Sequence, residues 1–329
     1  MKSSQPSGCC GFIFTERLAF HLSYSPSHLC CYKIEDWEKF YKFAEHFAEA
    51  GCSVLLWANY LWIMETKVVL ITGISSGFGL ESARMLAETG YTVYGTVRRE
   101  VEHIPGVHYL NADVRDAESV KRAVDTVIAE QGHIDMLVNN AGMGIGGPIE
   151  FTPDEGIELQ MDTNFMGMVR FSKAVLPHMR ERKCGKIVFL SSIGGLMGLP
   201  FQGFYSASKF AIEGYAEALR MEVHNFRISV SLINPGDFST GFTGKRRKTA
   251  PEVAEAYPAY ALSMSKIEND EGHGLKPVKV AETVARIAKA RRPRNRYIVA
   301  TLEQSLSVLL KAILPSSLFS RILRGYYKM

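Results

Sequence analysis

Cysteine is nearly missing from most of this chain. Five of its six cysteines (Cys9, Cys10, Cys30, Cys31 and Cys52) fall in the first 52 residues, and only Cys184 follows. The long remainder therefore has no disulfide framework, which fits a reducing compartment and a cytoplasmic location. The two vicinal Cys-Cys pairs lack zinc-ligand spacing, and residues 65–329 hold no His/Cys cluster with such spacing, so no metal is expected. Charge of one sign is also scarce. The formal net charge is +4, from 38 Lys and Arg against 34 Asp and Glu, too small to imply nucleic acid. Two basic clusters, Lys245-Arg246-Arg247-Lys248 and Arg291, Arg292, Arg294 and Arg296, have no aromatics interleaved, and they read as solvated loops rather than a nucleic-acid platform. Long apolar runs are missing too. Residues 52–64 are apolar but too short to cross a bilayer. No charged segment followed by an apolar core opens the chain, so no secretory signal is expected.

What remains is ordinary for a globular protein: 329 residues, 47% hydrophobic and 22% charged. Residues 35–50 have the periodicity of an amphipathic helix. Met64-Glu65-Thr66-Lys67 then stands directly before an apolar β-branched run. The expectation is that Met64 is the natural start and that residues 1–63 are upstream sequence or a dispensable extension. Residues 64–300 would form one domain, and 301–329 a C-terminal amphipathic helical segment.

From residue 67 short apolar runs alternate with helical periodicity. Strands are expected at 68–72, 91–97, 107–110, 134–138, 186–190, 228–233 and 297–300. Helices are expected at 78–89, 116–131, 154–182 (with a kink or break at Pro177), 203–225 and 281–291. Alternation of this kind implies parallel pairing through right-handed crossovers. All-apolar strands imply a sheet covered on both faces. The fold class is α/β: a single Rossmann-like, doubly wound parallel sheet of about seven strands.

Candidate site residues gather at the strand ends. Tyr205 and Lys209 are four apart, which stacks them on one helix face. A cation beside a phenol favours the phenolate and lowers its pKa. The first strand runs into Thr72-Gly73-Ile74-Ser75-Ser76-Gly77-Phe78-Gly79, where glycines let backbone approach a pyrophosphate at a helix N-terminus. The spacing is G-x-x-x-G-x-G. The second strand ends in Arg98-Arg99, with no acidic residue to grip a ribose diol. Two arginines suit a 2′-phosphate, so NADP(H) is expected over NAD(H), with Arg98 the main contact and Ser75 or Ser76 beside it. Asn139-Asn140-Ala141-Gly142 follows the fourth strand, and reads either as a border of the cofactor crevice or as a simple turn. Ser191-Ser192 follows the fifth, thirteen residues before Tyr205.

Together these segments resemble the short-chain dehydrogenase/reductase family over residues 67–300. The shared pattern is Thr72-Gly73-x3-Gly77-x-Gly79, Asp113, Asn139-Asn140-Ala141-Gly142, Asn164, Ser192, Tyr205-x3-Lys209 and Pro235-Gly236. The resemblance implies roles. Tyr205 is the acid/base, Lys209 holds the nicotinamide ribose and lowers the tyrosine pKa, and Ser192 orients the substrate oxygen. Asn164 holds a water in a proton relay. Asp113 and Val114 border the adenine, while Pro235, Gly236 and Thr240 border the nicotinamide. Tyr94-Gly95-Thr96-Val97-Arg98 and Arg294-Asn295-Arg296-Tyr297 look like the 17β-hydroxysteroid dehydrogenase-like branch, which acts on steroids, retinoids and other lipophilic alcohols. The family also implies a homodimer or homotetramer.

The expected activity is NADP(H)-dependent interconversion of a secondary alcohol and a ketone on a lipophilic, steroid-like substrate. The alternatives are a fatty-acyl or other aliphatic carbonyl reductase and a non-catalytic dinucleotide-sensing protein. Residues 238–277 read as a long substrate loop carrying Phe238, Phe242, Tyr257, Tyr260, Leu262 and Met264, which line an apolar pocket or pack as an ordinary helix face. In 301–327, Leu302, Leu306, Leu309, Leu310 and Ile313 form one stripe, and Leu318, Phe319, Ile322 and Leu323 another beyond Pro315. Three readings compete there: a substrate cover, a peripheral membrane contact and an oligomer contact.

Overall fold

The structure is a computed structural model that describes residues 67–248 and 253–329. The expectations for residues 1–63 lie outside the described residues. The first strand shows how the sheet is made. In Val68–Ile71 (β1) every residue is buried. Val68 and Leu70 join one apolar cluster, and Val69 and Ile71 join another. Alternate side chains point to opposite faces of a strand, so an apolar residue at every position means cover on both sides.

The other strands of the main sheet are β2 (Thr92–Val97), β3 (Val107–Asn111), β4 (Met136–Asn139), β5 (Gly185–Leu190), β6 (Ile228–Pro235) and β7 (Arg296–Val299). Their order is β3-β2-β1-β4-β5-β6-β7, with every pair parallel. The helices between them are α1 (Gly77–Glu88), α2 (Ala117–Gln131), α3 (Asp154–Met161), α4 (Gly167–Arg182) and α5 (Gly203–Glu222). After β6 come α6 (Ala259–Gly272) and α7 (Val278–Lys289), and after β7 come α8 (Leu302–Ile313) and α9 (Ser316–Tyr326). Helices α2, α4 and α5 supply one core, while α1 and α7 supply the other. The chain order reverses between β1 and β4, and a crevice opens there at the carboxyl ends of the strands.

Three expectations need correction. Pro177 lies inside α4 and does not break it. A proline in a helix interior costs about 3 kcal/mol, but α4 buries Met168, Phe171, Val175 and Met179, each worth about 1.5–3 kcal/mol. The irregularity falls earlier, at Asp162–Met166, a π-helical turn joining α3 to α4. Residues 238–277 are not a plain loop, since they contain the turn Phe242–Lys245 and the helix α6. The basic clusters are not simply solvated either. Arg246 is buried against Glu271, and Arg296 pairs with Glu213 at 2.6 Å.

Candidate active site

The glycine turn after β1 is held by backbone contacts. Gly73 and Gly77 have φ of +73° and +61°, a region that disfavours a side chain. A Cβ on Gly79 would lie 2.4 Å from the Gly73 carbonyl oxygen. The Thr72 hydroxyl oxygen accepts from the Asn140 and Ala141 backbone N–H groups at 2.9 and 3.0 Å. The Asn140 amide donates back to the Thr72 and Gly73 carbonyls at 2.8 and 2.9 Å. The loops after β1 and β4 are thus stitched into one surface. Gly95 in β2 serves the same region, because a Cβ there would overlap Ile74, a residue with no exposed surface.

A cleft of about 1030 Å³ runs over this surface. Of the residues singled out from sequence, its walls include Gly73, Ser75, Ser76, Gly77, Phe78, Arg98, Asp113, Val114, Asn140, Ala141, Gly142, Ser192, Tyr205, Lys209, Pro235, Gly236 and Thr240. Thr72, Gly79 and Asn164 do not line it. The first two shape the turn from behind. Asn164, in the π-helical turn, has no exposed surface. Its amide accepts from Met143 N–H at 2.7 Å and donates to the Met143 carbonyl at 2.9 Å and Ser208 Oγ at 3.0 Å. Ser208 in turn donates to the Tyr205 carbonyl at 2.7 Å. The Asn164 side chain therefore clamps the Met143 loop to α5 rather than reaching into the cleft.

One end of the cleft is cationic. Arg98 and Arg99 stand at the end of β2, joined by Arg115 and Lys245. Arg115 grips both oxygens of Asp113 with the Nε–Nη2 edge of its guanidinium, at 2.6 to 3.2 Å. This pairing holds the Asp113 carboxyl below its ordinary value against the opposing effect of burial. Lys245 donates to Ser76 Oγ at 3.0 Å. Sequence reading missed Arg115 and Lys245. The first sits two residues beyond a singled-out acid, a signal that was available. The second comes from a segment 169 residues away in sequence from its partner.

Tyr205 stands in the first turn of α5, and Ser192 caps the short helix after β5. Ser192 Oγ accepts from Gly194 N–H at 3.0 Å and donates to the Pro235 carbonyl at 3.5 Å, and its hydroxyl is close enough to the Tyr205 phenol to favour the phenolate. Lys209 Nζ donates to the Leu190 carbonyl at 2.8 Å and lies 5.7 Å from the Tyr205 ring centre. Burial pulls Lys209 down to about 8, opposed by Glu213. Burial pushes the Tyr205 phenol up to about 12, with the Ser192 hydroxyl pulling it down and Glu271 pushing it up. The direction is the reverse of that expected from the Tyr205–Lys209 spacing alone, because removing a phenolate from water dominates and the Glu271 and Asp237 carboxylates add to it against Arg246.

The other end of the cleft is walled by Phe242 and, from the C-terminal helices, by the apolar side chains Leu306, Leu310, Phe319, Ile322, Leu323 and Tyr327, with Asp237, Asp270, Glu271 and Glu303 among them. Of the aromatic segment, Tyr260 and Met264 instead join Phe201 and Ile267 in a small cluster with Tyr257 against it, and Leu262 is exposed. A polar frame holds these parts together. Gln304 donates to Asp237 at 2.6 Å and accepts from the Asp237 N–H at 3.3 Å. Tyr326 donates to Asp270 at 2.8 Å, and Ser263 to the Tyr327 carbonyl at 2.7 Å. Burial, with Glu271 and Asp270 adding to it, pushes Asp237 up to about 6. Gln304 was not foreseen. Its place three residues after Thr301 marks a capping box, but its partner Asp237 lies 67 residues away in sequence.

The family model of short chain dehydrogenases matches residues 67–251. The chain belongs to this family. A 3-ketodihydrosphingosine reductase of Bacteroides thetaiotaomicron is 47% identical over 266 residues, spanning 80% of this chain and 99% of that protein. Human 17-beta-hydroxysteroid dehydrogenase type 1 is 36% identical, spanning 75% and 80%. Among solved structures, a short-chain dehydrogenase from Streptomyces avermitilis superposes with a TM-score of 0.66 at 29% identity, spanning 79% and 98%. As a short-chain dehydrogenase, the chain is an oxidoreductase of CH–OH and keto groups. Fold neighbours have been solved with NADP and with NAD, so likeness of fold does not choose between them.

Proposed function

We propose that this short-chain dehydrogenase uses NADP(H) to interconvert a ketone and a secondary alcohol on a lipophilic substrate. The observation that carries the proposal is the polarity of one cleft. Arginines and a glycine turn lie at one end, apolar helices at the other, and the Ser192–Tyr205 pair between them. The residues at the first end suit a dinucleotide. The positive φ of Gly73 and Gly77 and the tight fit at Gly79 leave bare backbone beside the N-terminus of α1. Arg98 and Arg99 stand where a diol-binding acid is absent, which favours a 2′-phosphate.

When bound, the cofactor supplies hydride exchange with the substrate carbon. The chain's own residues handle the oxygen. A phenol with a pKa of about 12 keeps its proton at neutral pH, so Tyr205 serves as donor to the carbonyl oxygen. Ser192 offers a second hydrogen bond where negative charge grows. Lys209, at about 8, is mostly cationic at neutral pH, and its field supports the phenolate left behind. Arg98 and Arg99 orient the cofactor. The C-terminal helices exclude water from the reacting end.

The substrate class follows from chemistry and likeness together. The relative named for a long-chain keto lipid is matched at 47% over 99% of its length, which favours a long-chain aliphatic ketone. The steroid reading rests on the 36% match and comes second. The test is NADPH and NADH consumption with long-chain amino-ketones, simple long-chain ketones and steroid ketones, with products identified by mass spectrometry. The expected result is NADPH-dependent conversion of a long-chain ketone to its secondary alcohol. Cofactor binding without turnover across the panel would instead support the dinucleotide-sensing reading.

A further inference from the structure

Helices α8 and α9 carry two apolar surfaces, and the cleft uses one of them. Leu310, Phe319 and Leu323 turn toward the cleft. Leu302, Leu309 and Ile313 do not line it, and they are 87%, 55% and 65% exposed. With Leu306, 50% exposed, they recur at helical spacing along the outer side of α8. Leu318 and Ile322, 42% and 47% exposed, continue the patch on α9. A contiguous apolar face of this kind marks an interaction surface rather than ordinary solvent exposure. Leu306 and Ile322 belong to both surfaces, since they wall the cleft and also face outward. The outer face is therefore continuous with the apolar end of the cleft.

Charge selects the occupant. Residues 302–329 carry four cations, Lys311, Arg321, Arg324 and Lys328, against one acidic side chain, Glu303. Arg321 and Arg324 are exposed on α9, each within three residues of Leu318 or Ile322. A second copy of this face would set like charges against each other. An anionic lipid headgroup layer complements them. Among the described residues no helix is long and apolar enough to cross a membrane, and α8 and α9 have only 12 and 11 residues.

We propose that the outer face of α8 and α9 docks on an anionic bilayer surface. The apolar stripe sits in the headgroup–acyl boundary, the cations face lipid phosphates, and a lipophilic substrate passes from the bilayer into the cleft past Leu306 and Ile322. This goes beyond the proposed reaction, and its test needs neither cofactor nor substrate, so the two fail separately.

The experiment is co-sedimentation of the full chain with vesicles of phosphatidylcholine alone and of phosphatidylcholine with phosphatidylglycerol, at low and raised salt. The expected result is binding to the anionic vesicles that weakens with salt. The triple variant Leu302→Ser, Leu309→Ser, Ile313→Ser should bind about tenfold or more weakly, with circular dichroism and melting temperature checking that it folds. Arg321→Glu with Arg324→Glu is a second variant that leaves the stripe intact, and it too should lose binding by about tenfold or more. Failure of the wild-type chain to bind either vesicle overturns the proposal, as does unchanged binding of both variants. A concentration-dependent dimer that the serine variant abolishes, with no vesicle binding, would assign the face to a second copy.

Discussion

At the cationic end of the cleft, backbone and short side chains do the holding. Thr72 and Asn140 stitch two strand-end loops together through four hydrogen bonds, and Gly79 leaves no room for a methyl group. At the apolar end, long side chains do it: Gln304 on Asp237, Tyr326 on Asp270, and Arg246 on Glu271. At the first end Thr72 and Asn140 each follow directly on a buried strand. The second depends on side chains from helices α6, α8 and α9, whose outer surfaces are open. The difference suggests a division of labour, in which the first end holds an invariant group in place and the second adapts to a variable one. Substitutions should therefore affect cofactor and chemistry at one end, and substrate affinity at the other.

The largest effect is expected where the two ends meet. Tyr205→Phe removes the proton donor and should cut kcat by about 10²–10⁴-fold, the usual worth of general acid catalysis. Cofactor fluorescence titration should show unchanged binding, and turnover within tenfold of wild type would break the assignment. Next is Arg98→Ala. Loss of a charge-assisted contact worth about 1.5–3 kcal/mol should weaken NADPH by about 10–100-fold and leave NADH nearly unchanged. Equal loss for both would remove the 2′-phosphate argument.

A smaller effect comes from pH. Lys209 is cationic below about 8 and neutral above it, because burial lowers it from its ordinary 10.5. Tyr205, at about 12, stays protonated throughout that range. The rate of ketone reduction should thus hold steady through neutral pH and fall as pH rises through about 8. A pH–rate profile flat to pH 10 would contradict the role given to Lys209. The smallest effect is expected from Gln304→Ala. It removes the pin between α8 and Asp237, worth about 1–3 kcal/mol if the buried carboxyl is left short of donors. KM for a lipophilic ketone should rise several-fold while NADPH affinity is unchanged. A fall in NADPH affinity of the same size would mean that the two ends are not separable.

The contrast between the ends also explains what could be read in the sequence. The parallel strands were legible because most are short apolar runs closed by glycine or a polar turn, as β1, β4 and β6 are, and the candidate site residues gather where those runs stop. Arg98 and Ser192 stand out for that reason, and Tyr205 by its spacing from Lys209 on one helix face. The π-helical turn at Asp162–Met166 does not, because its residues keep helical periodicity and only the register of the hydrogen bonds shifts. Nor does the inward side chain of Asn164, since an asparagine at a known motif position does not say which atoms face the cavity. Burial of Tyr205 reversed the pKa direction that its spacing from Lys209 implied. At the apolar end, Leu306 and Leu309 look alike in sequence, and only the packing of α8 shows that one walls the cleft while the other faces outward.

The proposed function needs one cleft that joins a dinucleotide end to a lipid end. It is tested most directly by kcat/KM with NADPH for a series of ketones that differ only in alkyl chain length. The account predicts a steep rise with length, at most about fourfold per buried methylene, until the chain fills the end walled by Leu310, Phe319 and Leu323. A value independent of chain length, or one highest for the shortest ketone, would contradict it.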